Sequence, residues 1–163
     1  MYYLKRLIRK LITFYRIPLR EKLWLTFLYP YSGIIRAATL LLPFNQLAKL
    51  LGHHSQNVQL SSLATEEEYL RASRIGRITE ITSRYTPWKS KCLVQAIMAR
   101  TLLGYYGIPY VFHFGAHITG DSKESMKAHA WVKVGPRIIT GRKGHKSYGI
   151  VATYTSLPLG LNE

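Results

Sequence analysis

Residues 87–100, PWKSKCLVQAIMAR, are the stretch from which the fold can be inferred, because they place a cysteine at the start of an apolar helix. Cys92 is the only cysteine in the 163 residues. Ser90 is predicted to cap this helix through its hydroxyl. The positive end of the helix dipole then favours the thiolate form of Cys92. Arg100 is the only charge between Cys92 and Tyr106, which predicts a helix surrounded by other elements.

Length and charge place limits on the class of protein. A chain of 163 residues suggests one domain that is long enough to bury a core. Lys and Arg number 23 against 8 acidic residues, and the resulting net charge of +15 favours anionic partners: nucleic acid, a membrane surface or an acidic protein. A single cysteine excludes an internal disulfide and is typical of a reducing compartment. We therefore expect a cytoplasmic protein, and contact with a membrane stays open.

The N-terminal part, 1–52, is basic, aromatic and apolar. Its pattern predicts a helix from about Leu19, a kink or turn at Pro30 and Gly33, and a further helix over 34–42. These helices are expected to form a layer on the rest of the protein, with basic side chains outside. The alternative is a dedicated surface for a membrane or a partner.

The sequence after residue 52 predicts a loop, a long helix and then strands. The loop is polar and covers 53–64, and Thr65-Glu66-Glu67-Glu68 is typical of a capping box that begins a helix ending near Arg84. Later segments are expected to form strands over 110–114, 127–134, 137–140 and 150–154, with a flexible loop over 115–126. This order predicts the α+β class, with a helical N-terminal half packed on a small antiparallel sheet.

His129 is the residue best suited to act with Cys92. A thiolate nucleophile needs a base, usually histidine, and a third group that orients the imidazole. His129 lies in the middle of the 127–134 strand, between two alanines that permit close packing. A lone strand histidine or a lone buried cysteine is more often structural, so the prediction rests on the combination. His53 and His54 have no acid or cysteine nearby, so we expect neither a metal nor a cofactor.

The helix cysteine followed by a strand histidine resembles the transglutaminase-like superfamily of cysteine enzymes, with a papain-like core. More closely, the chain resembles the leader peptidases of lasso-peptide biosynthesis, the protease half of the split B protein. The segments that carry the similarity are Leu42-Pro43-Phe44, Leu51-Gly52, Pro87-Trp88, Cys92-Leu93, Gly107-Ile108-Pro109 and Ala128-His129-Ala130-Trp131-Val132. On this basis 1–163 is a single domain, with a basic helical N-terminal subregion at 1–52 and a Cys-His protease core at 65–155.

The resemblance implies that Cys92 is the nucleophile and His129 the general base and acid of a cysteine protease. Enzymes of that family remove the leader from a ribosomally made precursor peptide. The implied partners are the precursor, a small leader-recognition protein and the ATP-dependent lasso cyclase. Two other functions stay open: a non-enzymatic basic module that binds a membrane or nucleic acid, and a Cys-His acyltransferase. The sequence has no nucleic-acid-binding motif, which counts against nucleic acid.

The acid that usually orients the histidine is missing. The family commonly places an Asp about a dozen residues after the histidine, and Gly141 occupies that position. Four explanations stay open: a Cys-His dyad, a neutral group such as a backbone carbonyl, an acid from elsewhere, or a protein of little or no activity. Asp121 and Glu124 are the weak candidates for that third member. The oxyanion is expected to bind the Cys92 N–H and a second donor that the sequence does not identify.

Overall fold

The computed structural model describes residues 15, 17–55, 62–118 and 126–156. Helices in these ranges are α1 (Leu19–Leu41), α2 (Phe44–Ala48), α3 (Glu66–Tyr85) and α4 (Cys92–Tyr105). Strands are β1 (His53–Ser55), β2 (Val111–Ile118), β3 (Met126–Val134), β4 (Arg137–Thr140) and β5 (Gly149–Thr155), with a 3₁₀ turn at His145–Ser147. The predicted α+β class is confirmed, since the helices of the N-terminal half pack on an antiparallel sheet.

The sheet has the strand order β1-β5-β2-β3-β4, and every neighbouring pair is antiparallel. The turn at Gly135 and Pro136 joins β3 to β4 and uses a positive φ of 53° at the glycine. β4 is short and pairs only with residues 132–134 of β3. The first half of β3, which includes His129, therefore extends past the end of β4 at this edge of the sheet.

Helix α4 is covered on most of its surface, as its sequence predicts. It packs against α1, α3 and β3, and its buried residues are Val94, Ala96, Ile97, Met98, Ala99, Leu102 and Leu103. Its one charge is also accommodated, because Arg100 Nε donates to the Tyr110 hydroxyl at 2.9 Å. That hydroxyl in turn donates to the Leu51 carbonyl at 3.1 Å. Tyr105, the last residue of the helix, is exposed.

Helix α1 continues through Pro30 and Gly33 as one helix, where the sequence predicts a kink or turn between two helices. Tertiary contacts explain the difference. Gly33 lies under the ring of Trp88, which a Cβ at this position would approach to 3.0 Å. Trp88 Nε1 also donates to the buried Ser32 hydroxyl at 3.0 Å. Packing at this contact outweighs the weak helix propensity of the two residues.

The outer side of α1 is mostly apolar, although Arg20 is exposed there as the sequence predicts for basic side chains. A stripe of residues along this helix is exposed, and we call it the α1 stripe: Leu19, Leu23, Phe27, Ile34 and Leu41. The opposite side packs into the protein through Trp24, Leu28 and Ile35. Both sides of α1 are therefore apolar, and only one of them is buried. No described helix is long and apolar enough to cross a membrane.

Two predicted loops differ from the structure. Residues 53–55 form β1 on the edge of β5, a pairing that the polar composition of 53–64 does not reveal. β2 does not end at Phe114 but reaches Ile118, because it is paired with β3 on one side and β5 on the other. The middle of the predicted loop, 119–125, lies outside the described residues. The capping box of α3 is confirmed, with both hydrogen bonds between Thr65 and Glu68 formed.

His113 gives the stability of this fold a pH dependence. Its ring is 1% exposed and hydrogen-bonds with the Thr153 hydroxyl at 3.1 Å. Burial, reinforced by the charge of Lys133, lowers the pKa of His113 from 6.5 to about 4. The unfolded chain takes up a proton below pH 6.5, whereas the native ring stays neutral down to about pH 4. The contribution of the buried His113 ring to the unfolding free energy is therefore complete above pH 6.5 and is lost as the pH falls towards 4.

We predict that lowering the pH from about 7 to about 5 reduces the unfolding free energy of the wild type by about 1 to 2 kcal/mol more than that of the His113→Gln variant. Urea denaturation of both proteins at both pH values measures the difference. Subtracting the loss in the variant from the loss in the wild type removes the contribution of the other titrating groups, which both proteins share. Equal losses in the two proteins would show that the native His113 ring is protonated as readily as in the unfolded chain.

Candidate active site

Cys92 is the first residue of α4 and is partly buried. The residue before the helix is Lys91, in extended backbone conformation, and Gln95 N–H donates to its carbonyl at 3.1 Å. The prediction that Ser90 caps the helix is wrong. No side chain in the described part of the chain caps this end. The N–H groups of the first turn, starting with that of Cys92, therefore lack a capping side chain and can bind an oxyanion.

Ser90 instead fixes the segment that leads into the helix. Its hydroxyl hydrogen-bonds with that of Thr86 at 3.0 Å, because the segment returns towards the end of α3. The Gln95 side-chain amide donates to the Ser90 carbonyl at 3.0 Å, which ties the first turn of α4 to the same segment. Together with the Trp88 contact to α1, these bonds hold the backbone on which Cys92 is mounted.

His129 is oriented by a backbone carbonyl. Its Nε2–H donates to the carbonyl of Gly141 at 2.7 Å. Because a carbonyl can only accept, the proton of the neutral ring is on Nε2 and the lone pair is on Nδ1. This is the tautomer that a general base needs if Nδ1 takes a proton from a thiol. Of the four explanations that the sequence leaves open, the structure contains the neutral group.

Gly141 cannot be replaced by an aspartate in this backbone. Its φ is +74°, a left-handed conformation that L-residues avoid. A Cβ at this position would collide with the Ala130 carbonyl and approach the Trp131 Cβ to 2.7 Å. The residue at the position of the usual acid is therefore a glycine for steric reasons, and its own carbonyl binds the imidazole. Asp121 and Glu124 lie outside the described residues.

Aromatic rings surround the imidazole of His129. The ring of Trp131 stacks on it at 5.8 Å between centroids, and that of Tyr148 lies at 5.1 Å. Gly115 pairs with His129 across the sheet and leaves room for the side chains of Trp131 and Tyr148. A Cβ at position 115 would approach each of these side chains to less than 3.0 Å. These contacts restrict the rotation of the imidazole, so its orientation does not depend on one hydrogen bond.

Cys92 and His129 line the same cleft, which has a volume of about 780 Å³. The cleft lies between α3, the start of α4 and the edge of the sheet at β4. Gly76 of α3 permits this close packing, since a Cβ would approach the carbonyl oxygen of Ile139 to 2.5 Å. Gln95 lines the cleft as well. The structure thus brings together the two residues that the sequence predicts as a pair.

The charged residues in the lining of the cleft are mostly basic. Its charged residues other than His129 are Arg77, Glu80, Arg137, Arg142 and Lys143. Sequence reasoning did not identify them as site residues, because they come from α3 and from β4 and the turn after it. Gln95 was missed too. It follows Cys92 by three residues in the same helix, and this spacing puts two side chains on one face of a helix. In the described ranges, no cluster of three or more His, Cys, Asp or Glu residues could hold a metal.

An α+β fold with a helix-tip cysteine and a sheet histidine in one cleft is typical of enzymes that use a cysteine nucleophile. A model of the transglutaminase-like superfamily matches residues 38–153, which is more than half of the chain. The chain belongs to the transglutaminase-like superfamily, which typically contains cysteine-based proteases and acyltransferases. No curated protein and no solved structure gives a match to the sequence.

We predict that Gly141→Ala lowers the unfolding free energy by about 2 kcal/mol or more, because it adds a Cβ at a positive φ and against a carbonyl. Gly141→Asp should be at least as destabilising and should not add a triad acid. Gly104→Ala is the matched control, since nothing lies within 4 Å of its Cβ. In a helix this exchange should stabilise slightly. Urea denaturation of the three variants measures these effects, and a Gly141→Asp protein of wild-type stability would contradict the steric argument.

Proposed function

We propose that this protein is a cysteine peptidase that removes the leader from a ribosomally made peptide precursor, with Cys92 as nucleophile and His129 as base and acid. The observation that carries the proposal is the cleft: it contains the one thiol of the chain and an imidazole whose Nε2–H is held by the Gly141 carbonyl. Superfamily membership supports cysteine-based chemistry. The choice of a lasso-peptide precursor rests on the sequence resemblance.

The mechanism begins with proton transfer from the Cys92 thiol to Nδ1 of His129. The thiolate attacks the carbonyl carbon of the scissile amide, forming a C–S bond and an oxyanion. The imidazolium returns its proton to the leaving amine as the C–N bond breaks, which leaves an acyl thioester on Cys92. Water, activated by His129, then hydrolyses the thioester and restores the thiol.

The oxyanion is best placed at the first turn of α4. Its N–H groups point out of the helix end without a capping side chain, and the Cys92 N–H belongs to the attacking residue itself. For the second donor we propose the Gln95 amide, which lines the cleft and uses one of its two hydrogens on the Ser90 carbonyl. One hydrogen of that amide is left for an oxyanion.

We expect that Cys92→Ala and His129→Ala each abolish removal of the leader, since one removes the nucleophile and the other its base. Mass spectrometry of the precursor incubated with enzyme, and with any leader-binding partner encoded beside it, measures cleavage. Lys89→Ala is a suitable control, because this residue is exposed and lies outside the cleft lining. Full cleavage by the Cys92→Ala variant would exclude Cys92 as the nucleophile.

Acyl transfer to an amine would use the same thioester. The two reactions differ only in whether water or an amine resolves the acyl group, and the open cleft admits either. Addition of a primary amine during the precursor assay separates them. A peptidase yields the free carboxylate as its main product, whereas an acyltransferase yields the amide.

A second candidate function, association with an anionic membrane surface, is favoured by the α1 stripe together with the net charge of +15.

We expect the protein to sediment with vesicles that contain phosphatidylserine. Leu23→Ser combined with Phe27→Ser should lower the partition coefficient by about tenfold or more, because it removes apolar area without changing charge. Leu63→Ser, at a position 91% exposed outside α1, is the control. Unchanged sedimentation of the double variant would contradict a membrane role for the stripe.

A further inference from the structure

The cleft that contains Cys92 and His129 has an excess of positive charge. Its basic residues are Arg77, Arg137, Arg142 and Lys143, and its one acid is Glu80. These cations come from three places in the chain that the fold brings together: α3, the start of β4 and the turn after Gly141. The excess is therefore a property of the folded cleft and does not follow from one basic run of sequence.

The cleft cations are largely uncompensated. The carboxylate of Glu80 is bound by Arg84, outside the lining, at 2.7 Å. Arg137 has a carboxylate at 3.8 Å, that of Glu66, and its guanidinium also lies over the ring of Tyr69. The other three cations form no ion pair with any carboxylate in the described part of the chain. Arg142 donates a hydrogen bond of 3.4 Å to the Ile138 carbonyl, which is a neutral group and leaves the charge of Arg142 uncompensated. All three cations can therefore bind an anionic ligand.

Two of the cations adjoin the reacting groups. Arg142 and Lys143 follow Gly141 directly, and the Gly141 carbonyl binds His129. An extended peptide advances about 3.3 Å per residue, so side chains within three positions of the scissile bond lie within about 10 Å of it. The flexible side chains of Arg and Lys can reach a carboxylate at that distance. The scissile bond must approach Cys92, so the flanking residues of a substrate enter this cationic region.

We propose that the cleft selects peptides with an aspartate or glutamate within three residues of the cleaved bond. This inference rests on the proposed function and specifies its substrate. A single exposed cation contributes little to binding, but four that converge on one cleft add their potentials. Recognition by charge also leaves the cleaved bond itself unconstrained, because Arg142 and Lys143 contact residues beside it.

Alkylation of the single thiol reports the electrostatic potential at the sulfur of Cys92, and it needs no substrate. The ratio of the rates for iodoacetate and iodoacetamide, measured by mass spectrometry, compares an anionic with a neutral reagent at Cys92. At low salt this ratio should exceed that of free cysteine. In Arg142→Glu/Lys143→Glu it should fall by about tenfold. The neutral pair Arg142→Gln/Lys143→Gln should give an intermediate value, and added salt should lower the wild-type ratio.

The matched control is Arg20→Glu/Lys49→Glu, which changes the net charge equally at two exposed residues outside the cleft lining. Its ratio should equal that of the wild type. A wild-type ratio equal to that of free cysteine would overturn the inference. So would a fall in the control as large as that in the cleft variant, since the effect would then come from overall charge.

Cleavage of a proteome-derived peptide library with blocked termini tests the substrate class. We expect new termini with Asp or Glu enriched several-fold within three positions of the cut, and loss of that enrichment in Arg142→Glu/Lys143→Glu. Cleavage without acidic enrichment would overturn this inference and leave the proposed peptidase intact. Cleavage of the library no greater than that by Cys92→Ser would also overturn this inference, and the precursor assay with its leader-binding partner then tests the proposed function separately.

Discussion

Burial of α4 is the constraint on which the rest of the structure depends. This helix is apolar on most of its circumference, so it is stable only when other elements cover it. The inner side of α1, together with α3 and the sheet, supplies that cover. The N-terminus is the end left partly open, and Cys92 occupies it. Packing that stabilises the fold therefore also sets the position of the thiol relative to the cleft.

The hydrogen bond from His129 to Gly141 shows how a backbone group can replace a side chain. A carboxylate at position 141 would need a Cβ for which the Ala130 carbonyl leaves no space. The glycine backbone, at a φ of +74°, turns its carbonyl towards Nε2 instead. The rings of Trp131 and Tyr148 hold the imidazole from its sides. Within the described part of the chain, orientation and tautomer are thus fixed by the Gly141 carbonyl and the two rings.

Sequence patterns predict best where the controlling interactions are local. The capping box before α3, the apolar pattern of α4 and the strand pattern at 127–134 are of this kind, and all three elements are found. Cys92 and His129 were predicted as a pair from them. The continuity of α1 depends on Trp88, 55 residues beyond Gly33, and the role of Gly141 depends on contacts with β3. Interactions between distant residues leave no periodic signal, so these features could not be predicted.

Replacement of the acid by a carbonyl need not abolish the proposed chemistry. In the serine-protease triad the acid stabilises an imidazolium that forms from neutral partners, and its loss costs about 10⁴-fold in turnover. A cysteine site differs because the thiolate itself carries the compensating negative charge beside the imidazolium. The carbonyl then has to supply orientation and a partial negative charge, both of which the 2.7 Å contact provides. The surrounding cations affect this neutral ion pair less than they would a lone imidazolium, so a basic cleft is compatible with a dyad held by a carbonyl.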